Sequence, residues 1–202
     1  MQLALIKLKD LRDLKVVVIH PHDVDGQMVQ DQMTRIGCMT EAFWPPPRRL
    51  PQHTDIVFAA IFHDQHDALK QLLRQADKSP PTLIALAEYE NAAILQLMLD
   101  LGVLAIISKP VRPFGILTNL VAARNSWLMQ RNLEERILRL ENRLAGQKRI
   151  AKAKSILMKI QAINEVDAYK SLRAQAMAKR IPVDEVALSV INAHYLLSGG
   201  EA

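Results

Sequence analysis

Between residues 16 and 110, five short apolar runs alternate with helical stretches, and that alternation leaves few architectures open. Val16, Val17, Val18 and Ile19 form the first run, and others lie at about 38–43, 55–61, 83–86 and 103–107. Between them apolar residues recur at helical intervals, as with Met28, Val29, Met33 and Ile36, or Ile94, Leu95, Met98 and Leu101. Gly37 and Gly102 stand where two of these helices end. Continuously apolar strands joined by helical crossovers bury both faces, which predicts a doubly wound, five-stranded parallel α/β domain. The stretch WPPPRRLPQ at 44–52 cannot continue a ladder through three prolines and reads as a loop.

From about residue 113 the pattern becomes wholly helical, with no glycine between Gly115 and Gly146, so that two long helices or one continuous helix must follow. Leu133, Ile137, Leu140 and Leu144 are spaced 4, 3, 4. This heptad seam has Ile137 and Leu144 at a and Leu133 and Leu140 at d, a choice suited to a parallel two-stranded coil. Arg136 at g then faces Glu141 at e of the next heptad with opposite charge. The alternative is a helix packed against its own α/β domain.

The terminal segment divides into three helices. The first, 147–161, carries Ile150, Ala153, Leu157 and Ile160 on one stripe; Asn164 caps a second, with Asp167 at its third position; Pro182 opens a third that buries Val186, Ala187, Val190 and Ile191. Helices this short are stable only around a shared core, hence a second domain. The expected division is 1–112, 113–146 and 147–202.

The net charge of +5 conceals an asymmetry. Residues 147–180 hold nine Lys/Arg and two acids, +7 in all, leaving the remainder at −2. A phosphate-bearing partner for that segment is the leading expectation, set against a merely solvated helix face. One cysteine, Cys38, excludes an intrachain disulfide and any multi-cysteine zinc site, so a cytoplasmic location is expected. The longest apolar run, 56–62, is far too short for a membrane span.

Sites in an open parallel sheet form at the carboxyl ends of the strands. Here those ends supply His20, His22, Asp23, Asp25, Ala60, His63, Asp64, His66, Ala87 and Lys109. The arrangement, with its Lys109-Pro110 pair, resembles the receiver domain of two-component response regulators over about residues 14–125. A receiver carries an acidic pair after its first strand, a phosphoacceptor Asp ending the third and a Thr or Ser ending the fourth. The corresponding places are His20-Pro21-His22, Ala60 and Ala87. Ala60 has no oxygen to accept a phosphoryl group, and the missing acids remove the hard ligands Mg²⁺ requires. Lys109 is left to pair with Asp23 or Asp25. His20, His22, His63 and His66 have the imidazole count of a zinc or nickel site, but the nearby Lys109 charge argues against one. Neither metal nor cofactor is expected. No nucleophile–base pair, phosphate-cradling glycine loop or convergent carboxylate pair is present, so the chain does not read as an enzyme.

The C-terminal string RIAKAKSILMKIQAINEVDAYKSLRAQAMAKRIPVDEVALSVI resembles the ANTAR domain, a three-helix RNA-binding module of transcription antiterminators. The likeness lies in Ala153-Lys154, Leu157-Met158, Asp167-Ala168-Tyr169, Leu172-Arg173, Ala176-Met177, Arg180, Val186-Ala187 and Ile191. With Trp44-Pro-Pro-Pro47, Glu88-Tyr-Glu90 and Arg143-Leu-Ala-Gly-Gln147, the whole chain resembles the AmiR-type family of amidase-operon regulators. The resemblance implies binding of paired leader-mRNA stem-loops by a homodimer, and control by a ligand-sensing protein that sequesters it. Lys148, Arg149, Lys152, Lys154, Arg173, Lys179 and Arg180 are then the candidate phosphate contacts. Tyr169, the sole aromatic between Trp127 and Tyr195, is the candidate stacking platform, unless its stripe with Leu172 and Ala176 places it in the core. Trp44 and Trp127, apolar groups without a seam role, are candidates for docking the sensor. Competing readings are a DNA-binding helix-turn-helix regulator, disfavoured by an apolar, faintly acidic third helix, and an assembly scaffold, which leaves the +7 segment unexplained.

Overall fold

The computed structural model of the chain describes residues 8–75, 80–88 and 92–197, apart from the side chains of Leu8, His63 and His66. The chain divides into two compact units, residues 1–132 and 133–202.

In the first unit, β1 (Lys15–Ile19), β2 (Met39–Phe43), β3 (Ile56–Ala60), β4 (Thr82–Ala87) and β5 (Ala105–Ser108) form one parallel sheet in the order β2-β1-β3-β4-β5. The expected α/β domain is therefore present, with β5 beginning two residues later than the apolar run suggested. Helices α1 (Val24–Ile36), α2 (His66–Arg74) and α3 (Ala92–Leu101) fill three of the crossovers. No helix stands between β2 and β3, where the proline-rich loop takes its place.

Alternation along each strand sorts the side chains into two layers. Val16, Val18, Ile56, Phe58, Ile84, Leu86 and Ile107 pack with Val29 and Met33 of α1 and with Ile116, Leu120 and Ala123. On the opposite face Val17, Ile19, Val57, Ala59, Leu83 and Ala85 pack with Leu69 and Leu72 of α2 and Met98 of α3, while Trp44 and Leu50 of the loop cover what a helix would otherwise cover. Gly37 ends α1 at φ 97°, a conformation that glycine alone adopts without strain, and its amide returns to Met33 and Thr34 carbonyls.

Helix α4 (Pro113–Gln161) is a single helix of 49 residues. The expected separate helix over 147–161 is its last part, because Gly146 lies inside α4 rather than ending it. Gly146 is buried where α4 passes the start of α6, and a Cβ there would stand 3.4 Å from Asp184 Cβ. In the second unit, Ala153, Ile156 and Leu157 of α4 share a core with Ala168, Leu172 and Ala176 of α5 (Glu165–Lys179) and Val186, Ala187 and Ile191 of α6 (Val183–Leu197). Asn164 caps α5 as expected: its Oδ1 accepts from the Asp167 amide at 2.9 Å and its amide donates to Asp167 Oδ2. Among the described residues no helix is long and apolar enough to cross a membrane.

Candidate nucleic-acid interface and the plugged strand ends

The carboxyl ends of β1, β3 and β4 bring together a histidine and two alanines. His20 is 3% exposed, with Nδ1 2.9 Å from the Pro21 carbonyl and 3.2 Å from Asp23 Oδ1. The ring fits because position 26 is glycine: a Cβ there would come within 2.9 Å of His20 Nδ1. Asp23 at the N-cap of α1 and Asp25 in its first turn both serve the backbone. Asp23 Oδ1 caps α1 by accepting from the Gly26 amide at 2.9 Å, and Asp25 Oδ1 accepts from the Val111 amide at 2.7 Å, tying α1 to the segment after β5. Partial burial would raise the Asp23 carboxyl, but the Gly26 amide and the charges of His20 and Lys109 outweigh it and hold the group below its usual range.

Ala60 and Ala87 present buried methyl groups where a phosphoacceptor and a hydroxyl would have to stand. Neither methyl can accept a phosphoryl group or offer a hard oxygen ligand to Mg²⁺. The expected pairing of Lys109 with Asp23 or Asp25 does not form among the described residues. Its ammonium lies 5.8 Å from the centre of the Phe62 ring instead, because Asp25 is engaged by Val111 and Asp23 by the start of α1. His22 is exposed, and the histidine cluster cannot be traced further, since the side chains of His63 and His66 lie outside the described residues. Among those described, no three His, Cys, Asp or Glu gather.

The two tryptophans are not the free apolar groups their sequence context suggests. Trp44 is half-buried, edge-on to Phe62 at 5.6 Å. Trp127 donates from Nε1 to the Pro80 carbonyl at 2.8 Å and carries the Arg124 guanidinium 4.4 Å from its ring centre. Arg124 is a residue that sequence reasoning missed. Buried, it donates to the Thr82 hydroxyl at 3.1 Å, to Asp55 Oδ1 at 3.1 Å and to the Asp55 carbonyl at 3.3 Å, fastening α4 to the starts of β3 and β4. Burial lowers its pKa, against the opposing pull of Asp55.

In the second unit the candidate cations fall into two groups. Arg149 faces Asp184 at 3.5 Å, Lys152 donates to the Tyr195 hydroxyl, and Lys154 pairs with Glu165, holding that carboxyl below its ordinary range. These three already bridge α4 to α5 or α6. Lys148, Arg173, Lys179 and Arg180 are exposed. Tyr169 is 43% exposed, at the edge of the core stripe formed by Ala168, Leu172 and Ala176. At about 100° per residue, Tyr169 and the exposed Arg173 project about 40° apart, one turn from each other along α5. Met177, 71% exposed, projects about 40° further round, one turn beyond Arg173. Arg180 closes α5 in the left-handed conformation, φ 54°.

The seam residues Leu133, Ile137, Leu140 and Leu144 are each more than half exposed. Arg136 and Glu141 at the flanking positions are exposed as well.

Comparison with known proteins covers both units. The family model "AmiR, N-terminal" matches residues 14–124, and the ANTAR domain model matches residues 138–191. The aliphatic amidase regulator of Pseudomonas aeruginosa is 33% identical over 184 residues, 91% of this chain and 94% of that protein. Among solved structures, the signal receiver domain of a modulated diguanylate cyclase from Desulfovibrio desulfuricans G20 aligns over 58% of this chain and 99% of its own at 14% identity, TM-score 0.47. A response regulator from Thermotoga maritima aligns over 58% and 98% at 13% identity, TM-score 0.43. With one family model spanning more than half its length, and a relative matched along nearly all of it, the chain belongs to the AmiR family of ANTAR-domain regulators.

Proposed function

We propose that the chain is an RNA-binding transcription antiterminator, acting as a dimer and controlled by sequestration by a ligand-sensing protein rather than by phosphorylation. The observation that carries the reading is on α5, where an exposed Tyr169 stands one turn from the exposed Arg173 in the +7 segment, with Arg180 exposed at the end of the helix. Stem bases in RNA lie in a groove too deep and narrow for side chains, whereas loop bases can be splayed out onto an aromatic ring. Tyr169 supplies that ring, and Arg173, Arg180, Lys148 and Lys179 supply phosphate contacts. Arg149, Lys152 and Lys154 hold the module together and add to its field.

Two modules joined through the seam at 133–144 match two tandem stem-loops in a leader transcript, so that the second contact becomes intramolecular. Holding those stem-loops prevents a competing terminator hairpin from forming. Ala60 removes the phosphorylation input, and control then falls to a partner that covers or releases the chain. The name of the 33%-identical relative favours a sensor of amides or related small molecules. The exposed parts of Trp44, Trp127 and the loop between β2 and β3 are the surface proposed for it; unchanged calorimetric binding to the sensor by Trp44→Ala and Trp127→Ala would remove that surface from consideration.

The deciding experiment is a salt series of binding to a leader RNA with two stem-loops and to a duplex DNA of equal charge. Affinity for the RNA that survives moderate salt and falls when loop bases change supports the proposal. Equal affinities that vanish steeply with salt would reduce the basic segment to a nonspecific polyanion surface.

A further inference from the structure

At the amino-terminal edge of the sheet, opposite the strand ends that hold His20, Ala60 and Ala87, lies a cavity of about 1080 Å³. Lys15 at the start of β1, Asp55 just before β3, the loop carrying Arg49 and His53, and Arg124 and Trp127 of α4 all contribute to its wall. Three observations distinguish it from an incidental surface cleft.

The first is its charge. Asp55 is consumed internally, Oδ1 by Arg124 and Oδ2 by the Lys15 amide at 3.1 Å. Lys15 Nζ makes only a long contact of 3.5 Å with the Gln52 carbonyl, and among the described residues nothing pairs with the exposed Arg49 guanidinium. The acid left in the wall is Asp13, so the cations prevail. The second is rigidity: Arg124 and Trp127 are pinned by the hydrogen bonds to Asp55, Thr82 and Pro80, and prolines 51, 80 and 81 stiffen the apolar part of the wall. The third is strain. Asp13 and His53 hold left-handed backbone conformations, φ 65° and 61°, and both line this cavity. Such residues persist only where their surroundings over-determine them, and they concentrate at ligand sites.

We propose that this cavity binds a small organic anion, a phosphate monoester or carboxylate with an apolar planar body. Its charged group sits between the Lys15 ammonium and the forked Arg49 guanidinium, and its body lies against Trp127 and the prolines. Because Arg124 and Trp127 belong to α4, an occupant adds its contacts to those that fasten this helix to the sheet. The site is independent of the RNA-binding face and supplies the α/β unit with a chemical input that the plugged strand ends cannot.

The test uses the full chain carrying Trp44→Phe, which leaves Trp127 as its single tryptophan. Phenyl phosphate and benzoate are titrated at constant ionic strength with sodium chloride as the balancing salt. Saturable change in Trp127 emission with one or both probes is expected, and the stronger probe identifies the anionic group. Lys15→Gln with Arg49→Gln should raise the half-saturation concentration at least tenfold while leaving RNA binding and the ligand-free melting temperature unchanged. If emission is silent, isothermal calorimetry with the same probes decides. A linear response equal to that of chloride, no heat beyond dilution, or saturation unaltered in the double variant would each overturn the proposal.

Discussion

Substitution of Gly26 by alanine probes the plugged strand end directly. The added Cβ would stand 2.8 Å from the Pro21 carbonyl oxygen and 2.9 Å from His20 Nδ1, well inside the 3.3–3.6 Å at which carbon and oxygen ordinarily meet. Neither neighbour can swing aside, since one is backbone and the other a buried ring hydrogen-bonded to that same carbonyl. Overpacking of this kind costs roughly 1–3 kcal/mol, and disturbing the His20 hydrogen bond adds about 1 kcal/mol. Against this, alanine in a helix returns at most about 1 kcal/mol over glycine. The net expectation is a loss of about 2 kcal/mol, which at roughly 2–4 °C per kcal/mol lowers the melting temperature by roughly 4–8 °C. Gly115→Ala is the matched control: it lies in α4 with nothing within 4 Å of its added Cβ, so the helix term alone should raise stability by about 0.5–1 kcal/mol. Thermal unfolding followed by circular dichroism reads both. A Gly26→Ala protein that melts at or above the parent, as Gly115→Ala should, refutes the account of His20 as a fixed plug. His20→Ala in the Gly26→Ala background should recover part of the loss, giving a coupling of about 1 kcal/mol in the double-mutant cycle.

Other expectations are independent of this one. Ile137→Asp with Leu140→Lys places charges on the exposed seam and should convert dimer to monomer in sedimentation velocity, with the melting of the α/β unit unchanged. Removing a phosphate contact with Arg173→Ala should reduce the slope of log affinity against log salt by about 0.7–0.9, whereas Tyr169→Ala should cost about 1–3 kcal/mol of RNA binding with the slope unchanged. Because the folded Asp23 carboxyl lies below its ordinary value, its stabilising contribution is complete above the unfolded pKa of about 3.9 and is lost as pH falls through the lower folded value. Asp23→Asn should therefore be less stable than the parent near neutrality and converge with it in strong acid, measured by urea unfolding across pH. Burial, with Asp13 and Asp55 adding, raises the Cys38 thiol, so its alkylation by iodoacetamide at pH 8 should be slower than that of free cysteine.

What the sequence revealed was local or periodic. The apolar run around Phe58 is long enough to be a buried strand and nothing else, Gly37 and Gly102 mark helix ends through a backbone preference, and Asn164 with Asp167 announces a cap three residues long. Arg124 was not legible, because in the sequence it is one more basic residue on a helix and its partners Asp55 and Thr82 lie 69 and 42 residues away. Arg149 and Lys154 looked like free phosphate contacts for the same reason. Their acids, Asp184 and Glu165, come close only when α4, α5 and α6 fold together. Tyr169 sits at the border of the α5 core stripe, where an angular step of a few tens of degrees separates burial from exposure and periodicity cannot choose between them.

Under the proposed RNA-binding role, Arg180 is a place where function and stability demand different residues at one backbone position. The left-handed turn that ends α5 is the conformation for which glycine is the least costly occupant, and any side chain there forgoes stability that glycine would supply. An arginine trades that stability for an exposed guanidinium at the end of the helix that carries Tyr169 and Arg173. Selection for folding alone would drive this position toward glycine, and a more robust module would be a less cationic one.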